Sequence, residues 1–576
     1  MTILRRFQAV DVDTPSKLIQ NSTLYATVFL LYLALFIFVG FFLRVHIGHW
    51  TLLSAIASYI AILAFSLLIR KASRQQWLTF GICTVVCLVV VCSLGLLFGH
   101  TYDTSYDGQD YQQSGIIGLA DGWNPIYQKN PPIQPPSPVD LPIDNGYGKA
   151  VWSIDASVYA FTHNINMAAS LNLVVGLLAV SFLYYTLRSL GVSRRLTFAI
   201  IIPTIITPLF VEQLFTFKED AVSYSFLVIG ITSLVLFTTK KQYTLYSLCL
   251  LTSLIFLAGI KDSNVFIFLP LLCVTILLTV TRKWYLFPHL KMVLALGFVT
   301  GCIILYNPYF TNVVRYRAID YPFNEKRFSD LLLYGNVPLN LRHDNRFELL
   351  YYGIFSRAVA GEASSPIDNA HLKIPLTFSA AELQTEASPN AKLVGGYGIL
   401  FSGTILIAII AAIYAGLTLK HRREKLTYTW LILLATVAIG ASLVDPNPNY
   451  ARYNSGLFLL PAIGVLVIAL TPARKQALGK ILIATLLILT LTSTFLNITA
   501  AGAEADQAFT VANKQLHMLK SSDAVYLAHA GVFYSNYTEL SSHGVKIIVS
   551  PTPVHCKNPL LLVDSRGSTF LCRLGG

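Results

Sequence analysis

The chain has 576 residues, 54% of them hydrophobic and only 12% charged, with a mean hydropathy of +0.59. Soluble proteins carry about twice that charged fraction, so a string of soluble domains is excluded and a bundle of membrane spans is expected. Lys plus Arg number 42 against 29 acidic residues, a formal charge of +13. In a membrane protein that excess is first an insertion signal, and no nucleic-acid partner is needed to explain it.

A span needs about 20 mainly apolar residues. Runs that meet or approach this length lie near 24–43, 51–69, 78–98, 167–187, 196–215, 221–239, 243–260, 264–281, 290–306, 398–418, 427–443, 455–471 and 480–499. The reading is therefore an all-α polytopic membrane protein with about 13 transmembrane helices. The first run is long and lacks a small-residue cleavage site after it, so it reads as a retained span.

Basic clusters occupy every second connection. Arg5, Arg6 and Lys17 precede the first span, and Arg70, Lys71 and Arg74 follow the second. Then come Arg188, Arg194 and Arg195; Lys240 and Lys241; Arg282 and Lys283; the run Lys420–Lys425; and Arg474, Lys475 and Lys480. Positive-inside bias places these and the N-terminus in the cytoplasm and the C-terminus outside. The expected location is the cytoplasmic (inner) membrane. A transmembrane domain over 1–499 then presents two outer loops, 99–166 and 307–397, and precedes an outer tail at 500–576.

The tail mixes a polar helical stretch at 505–520 with short apolar runs at 524–528, 545–549 and 560–563. A small extracytoplasmic α/β module fits this pattern. Cys83, Cys87, Cys92, Cys249, Cys273 and Cys302 lie in apolar runs and act as small hydrophobes. Cys556 and Cys572 belong to the tail, where an oxidising compartment favours a disulfide between them.

The two outer loops differ in charge. The first carries Asp103, Asp107, Asp110, Asp121, Asp140, Asp144 and Asp155 against Lys129 and Lys149. The second carries Arg315, Arg317, Lys326, Arg327, Arg342, Arg346 and Arg357. Acidic residues do little to set orientation, so the contrast points to function. Asp107 and Asp110, three apart, would share one face of a helical turn. Ile116, Ile117, Leu119 and Trp123 follow at near-helical spacing, as in a segment lying flat on a bilayer. Helix capping is the bland account of either aspartate alone. The pair, set among Tyr106, Tyr111, Trp123 and Tyr127, reads as a substrate site.

Two short turns on the same side, Lys218-Glu219-Asp220 and Lys261-Asp262, pair a lysine with acids. The ammonium groups suit a phosphate and the carboxylates suit sugar hydroxyls, with snorkelling at helix ends as the alternative. Arg315 and Arg317, interleaved with tyrosines just past a span, are candidates for a carrier phosphate. Arg452 lies at the same depth. The six prolines between Lys129 and Pro142 demand an extended strut. No metal-ligand spacing is recognisable and no cofactor is called for; divalent metal assistance stays open.

Together these features resemble the GT-C class of integral-membrane glycosyltransferases. The string Tyr106-Asp-Gly-Gln-Asp-Tyr111, with Gly122-Trp-Asn-Pro125, is similar to the aspartate-bearing loop of that class. Several related loops carry a His where this chain has Gln112, and many place the loop after the first span rather than the third. The resemblance implies a GT-C-like fold and an enzyme using a polyprenyl-phosphate sugar donor on the non-cytoplasmic face. The acceptor would be a glycan, lipid or protein of the cell envelope, as in polysaccharide biosynthesis. Asp107 or Asp110 would act as general base, and basic residues would hold the carrier phosphate. Two alternatives stand beside it. One is a polysaccharide polymerase or ligase using diphosphate-linked glycans, suggested by the spacing of Arg342 and Gly353. The other is a lipid-linked-sugar flippase or transporter, suggested by Pro203, Pro208 and Glu212 within one span.

Overall fold

The computed structural model describes residues 14–132, 140–239, 243–281, 288–330, 334–361, 369–388, 392–522, 524–529, 534–550, 554–555, 559–562 and 570–574. Arg5, Arg6, Lys240, Lys241, Arg282, Lys283, the centre of the proline run at 133–139 and Cys556 lie outside the described residues.

Among the described residues, eight helices are long and apolar enough to cross a membrane: Leu18–Phe42, Thr51–Ile69, Arg74–Phe98, Ile165–Ser189, Asp220–Thr238, Asp262–Thr281, Glu424–Val444 and Ala477–Ser521. A ninth span forms if the pair Leu290–Ile304 and Tyr306–Tyr316, bent by 57°, counts as one. Three expected spans are present as shorter apolar helices, Thr244–Ile260, Phe401–Leu417 and Ser455–Ala469. The run at 196–215 is broken into Arg194–Ile205 and Pro208–Gln213. Proline lacks a backbone N–H and disfavours a helical residue before it. Thr207 starts the second piece, its side chain accepting from the Phe210 N–H at 3.2 Å. Among the described residues, the length criterion is therefore met by eight or nine of the roughly thirteen expected spans.

Burial separates the helices by role. The helix from Asp220 has 83% of its apolar window buried, against 6% for Thr51–Ile69. The first is a central post packed on all sides; the second shows its apolar face outward, as a lipid-facing helix does. Asp220 therefore sits at the end of the most enclosed of these spans, and Lys261 is itself buried.

The first outer loop folds back onto this core. A five-residue π-helical turn, Gly108–Gln112, leads into the helix Gln113–Ala120, and a further helix spans Ala150–Thr162. The segment expected to lie flat on a bilayer is instead enclosed, with every residue from Gln113 to Leu119 buried. Gly115 explains the fit. A Cβ there would overlap the six-membered ring of Trp152, so only glycine allows the two helices to close. The π turn also replaces the expected α-helical register of Asp107 and Asp110.

The boundary expected at residue 500 falls inside one unbroken helix, Ala477–Ser521, of 45 residues. Beyond it lies a four-stranded sheet ordered Lys546–Ser550, Val525–His529, Phe570–Arg573, Leu560–Leu561. The first pair is parallel and the others antiparallel. The parallel pair is joined through the helix Tyr534–Ser542, the crossover such a pair requires. Leu519, Tyr526, Tyr537, Val545 and Leu571 form its small core. Cys572 is disulfide-bonded; its expected partner Cys556 lies outside the described residues.

Candidate active site

The loops that follow alternate spans meet at one end of the bundle. There Arg452 joins two acidic segments. Its Nη2 donates to Asp107 at 2.6 Å and its Nε to Asp220 at 2.8 Å. Lys261 forms a salt bridge with the other oxygen of Asp220. Gln213 Nε2 donates to Asp220 at 2.8 Å, and Gln213 Oε1 accepts from the Ala221 N–H at 2.9 Å. Arg452 stands beside the ring of Tyr450, and Lys261 lies 4.9 Å from the ring centre of Tyr453.

The charges of this network are set by enclosure and by neighbours. Burial pushes the Asp107 carboxyl up, but Arg452, Lys218 and Lys261 together hold it below its ordinary value. Burial, then the nearby Arg452, pulls Lys261 down to about 7, against the pull of Glu219, Asp107 and Asp445. Asp107 therefore stays ionised. Burial pushes Asp445 up to about 6; the Asn447 N–H, Lys261 and Arg346 oppose it.

Lys218, two residues before Asp220, leads to a second cluster. Its Nζ lies 3.4 Å from Glu212 Oε1, and Lys392 Nζ lies 3.0 Å from Glu212 Oε2. Glu212 also lines a cavity of about 370 Å³, walled by Leu173, Leu177, Ile205, Phe210, Val211 and Ile498. Tyr102 and Thr104 reach the same cavity from the aspartate loop. Between them, Asp103 accepts from the Phe217 N–H at 2.8 Å, which ties the loop to the segment carrying Lys218. Burial lifts Asp103 to about 6, and the hydrogen bonds from Phe217 and Ser105 restrain it.

A third group is more enclosed. Lys149 is fully buried, with its Nζ 5.3 Å and 5.2 Å from the ring centres of Trp123 and Trp152. Burial pulls it down to about 7, with Asp144 and Asp262 opposing. Glu219 is 2% exposed and neither carboxylate oxygen has a hydrogen-bond partner among the described residues. Its pKa is raised well above the ordinary value by burial and by Asp155, against Lys261 and Lys149. Both oxygens of Asp262 are likewise buried without a hydrogen-bond partner among the described residues.

The sequence-derived candidates thus fall into distinct places. Asp107, Asp220, Lys261 and Arg452 share one network, and Lys218 adjoins it. Asp110 is buried in the π turn, its backbone carbonyl accepting from Ser114 Oγ at 2.7 Å. Tyr111 packs on Tyr147 with ring centres 5.4 Å apart, and Trp123 lies beneath Lys149. The two arginines chosen for the carrier phosphate do not join them. Arg315 donates to the Ile126 carbonyl at 2.8 Å, and Arg317 ends its helix in the left-handed region, exposed. The spacing of Arg342 and Gly353 has a packing explanation, since a Cβ on Gly353 would meet the Asn449 backbone at 2.8 Å. Lys392 and Lys149 were not among the site candidates, and Glu212 was singled out only for the transporter alternative; Lys149 was marked only as one of two lysines amid aspartates. No cluster of three His, Cys, Asp or Glu suited to a metal occurs among the described residues.

No family model matches the chain, and no curated relative matches it. Among solved structures it is similar to the crystal structure of ArnT from Cupriavidus metallidurans bound to undecaprenyl phosphate. The likeness has 13% sequence identity and a TM-score of 0.35, over 83% of this chain and 86% of that one. At so low a similarity the chemistry has to be read from the residues themselves.

Proposed function

We propose that this polytopic membrane protein is a glycosyltransferase of the GT-C kind. It would move a sugar from a polyprenyl-phosphate carrier to a glycan, lipid or protein acceptor on the extracytoplasmic side. One observation carries the reading: the ionised Asp107, held by Arg452, shares a loop with the wall of an apolar cavity, and Glu212 in that wall is paired with two lysines. The cavity suits an isoprenoid chain, and Lys218 and Lys392 suit a phosphate once Glu212 is displaced from between them. Asp107 is half-buried, which leaves it open to an acceptor hydroxyl.

The reaction then balances simply. The acceptor hydroxyl oxygen attacks the anomeric carbon as its proton passes to Asp107. The bond from that carbon to the phosphate oxygen breaks, and the electron pair leaves with the carrier phosphate. Lysine ammonium groups fixed in a dry site stabilise that departing charge more strongly than they would in water. The extracytoplasmic assignment rests on the alternation of basic clusters.

The test is the protein reconstituted in liposomes with a polyprenyl-phosphate sugar and a mixed glycan acceptor pool, followed for release of polyprenyl phosphate. Lys218→Ala and Lys392→Ala should each raise the donor KM while transfer remains measurable. Movement of the lipid between leaflets without a new glycosidic bond would replace this reading with a flippase.

A further inference from the structure

We propose that the tail helix Tyr534–Ser542 is a clamp that fixes the position of the aspartate turn, with Ser535 as its positioning residue. The proposal rests on the reading of Asp107 as the residue that meets the acceptor. It adds a part of the chain, more than four hundred residues away in sequence, that this reading does not use.

Two contacts define the clamp. Ser535 Oγ donates to the Gln109 carbonyl at 2.5 Å, inside the π turn and two residues from Asp107. One turn later in the same tail helix, Glu539 Oε1 accepts from Asn166 Nδ2 at 2.5 Å. Asn166 belongs to the short helix Ile165–Ala168, capped by Asn164. Asn164 in turn donates to the Gly99 carbonyl at 3.1 Å, where the loop leaves its span. The tail helix therefore grips the loop at its turn and, through Asn166 and Asn164, reaches the point where the loop begins.

The contact is closed to solvent. Ser535 is 0% exposed, Asn536 1% and Tyr537 4%. The sequon Asn536-Tyr-Thr538 is consequently shut in this docked arrangement. A buried hydroxyl that loses its partner is left desolvated and unpaired, so Ser535 favours the one register in which Gln109 receives it. The π turn is where such a support has most effect. Its i→i+5 pattern is a rare local excursion within helices, and Asp107 at its head must keep a 2.6 Å pair with Arg452. Misplacing a reacting group by about 1 Å can cost on the order of a hundredfold in rate.

The experiment uses full-length protein and two readouts: hydrogen exchange of the peptide covering 106–112, and transfer kinetics. Ser535→Ala and Glu539→Ala should raise exchange in that peptide and lower kcat about ten- to hundredfold, with the donor KM unchanged. Glu539→Gln keeps an oxygen that accepts from Asn166 and should retain both wild-type exchange and wild-type kcat. Unchanged exchange in both alanine variants would overturn the clamp whatever the activity. So would faster exchange with an unaltered kcat. Asp107→Asn reads the underlying function separately: if it stays active, that reading fails while exchange still decides the clamp.

Discussion

Replacing Asp107 by asparagine separates a chemical role from a structural one. The amide keeps the size of the carboxyl and removes its charge. Arg452 would lose the ion pair with Asp107, although the amide oxygen can still accept from Nη2, and it keeps the 2.8 Å bond from Nε to Asp220. A hydrogen bond to a charged group is worth about 1.5–3 kcal/mol, which bounds the loss of stability. Loss of a general base costs about 10²–10⁴-fold in rate. Asp107→Asn should therefore remain folded in detergent while turnover falls by two orders of magnitude or more. The pH profile of the wild type adds a second check. A base must be ionised, so activity is lost as pH falls through its pKa. Asp107 is held below its ordinary value by Arg452, Lys218 and Lys261 against burial, so the acid limb of kcat/KM belongs below the ordinary carboxylate range. Single-turnover transfer with a labelled donor in proteoliposomes measures both. A folded Asp107→Asn protein with turnover within a few-fold of wild type would refute the assignment. An acid limb near neutrality would instead point to a buried carboxyl with a raised pKa, as at Glu219.

Two further outcomes follow from packing and burial. Gly115→Ala places a methyl group in the ring of Trp152; overpacking of this kind costs about 1–3 kcal/mol, and thermal unfolding should register it. Glu386, buried with neither oxygen hydrogen-bonded among the described residues, has its pKa lifted to about 8 by burial, against Lys392 and Lys373. Its stabilising protonated state is fully present below the unfolded value of about 4.3 and is lost as pH rises through about 8. Glu386→Gln, which mimics the protonated form, should flatten the alkaline fall in melting temperature; an unchanged slope would exclude Glu386 as its source.

The apolar spans were legible because a bilayer demands length and apolarity, both of which are written along the chain. Thr51–Ile69 shows this most directly, spanning the same residues as its apolar run. The broken run before Glu212 was less legible, because proline shows that a helix is interrupted but not how its halves are placed. Within the site, Asp107, Lys218, Asp220, Lys261 and Arg452 could be chosen because each flanks a span. Their pairing could not, since it depends on how each helix is rotated. Arg315 makes the point: equally basic and equally close to a span, it turns to the Ile126 carbonyl instead. Lys392 and Glu212 lie 180 residues apart in number, and only the folded second loop brings their charges to 3.0 Å. Lys149 looked like a minority charge in an acidic loop, and its place between two indoles is a property of the assembled core.

The helix Ala477–Ser521 has a geometrical consequence of its own. An α-helix advances about 100° per residue, and this one runs for 45 residues from the bundle to the edge of the sheet. It behaves as a crankshaft. Inserting or deleting one residue beyond Ala505 would swing the whole sheet around the axis by over a quarter revolution, carrying Ser535 away from Gln109. The count of residues along that shaft is thus part of the machine's timing, even where the side chains themselves touch nothing.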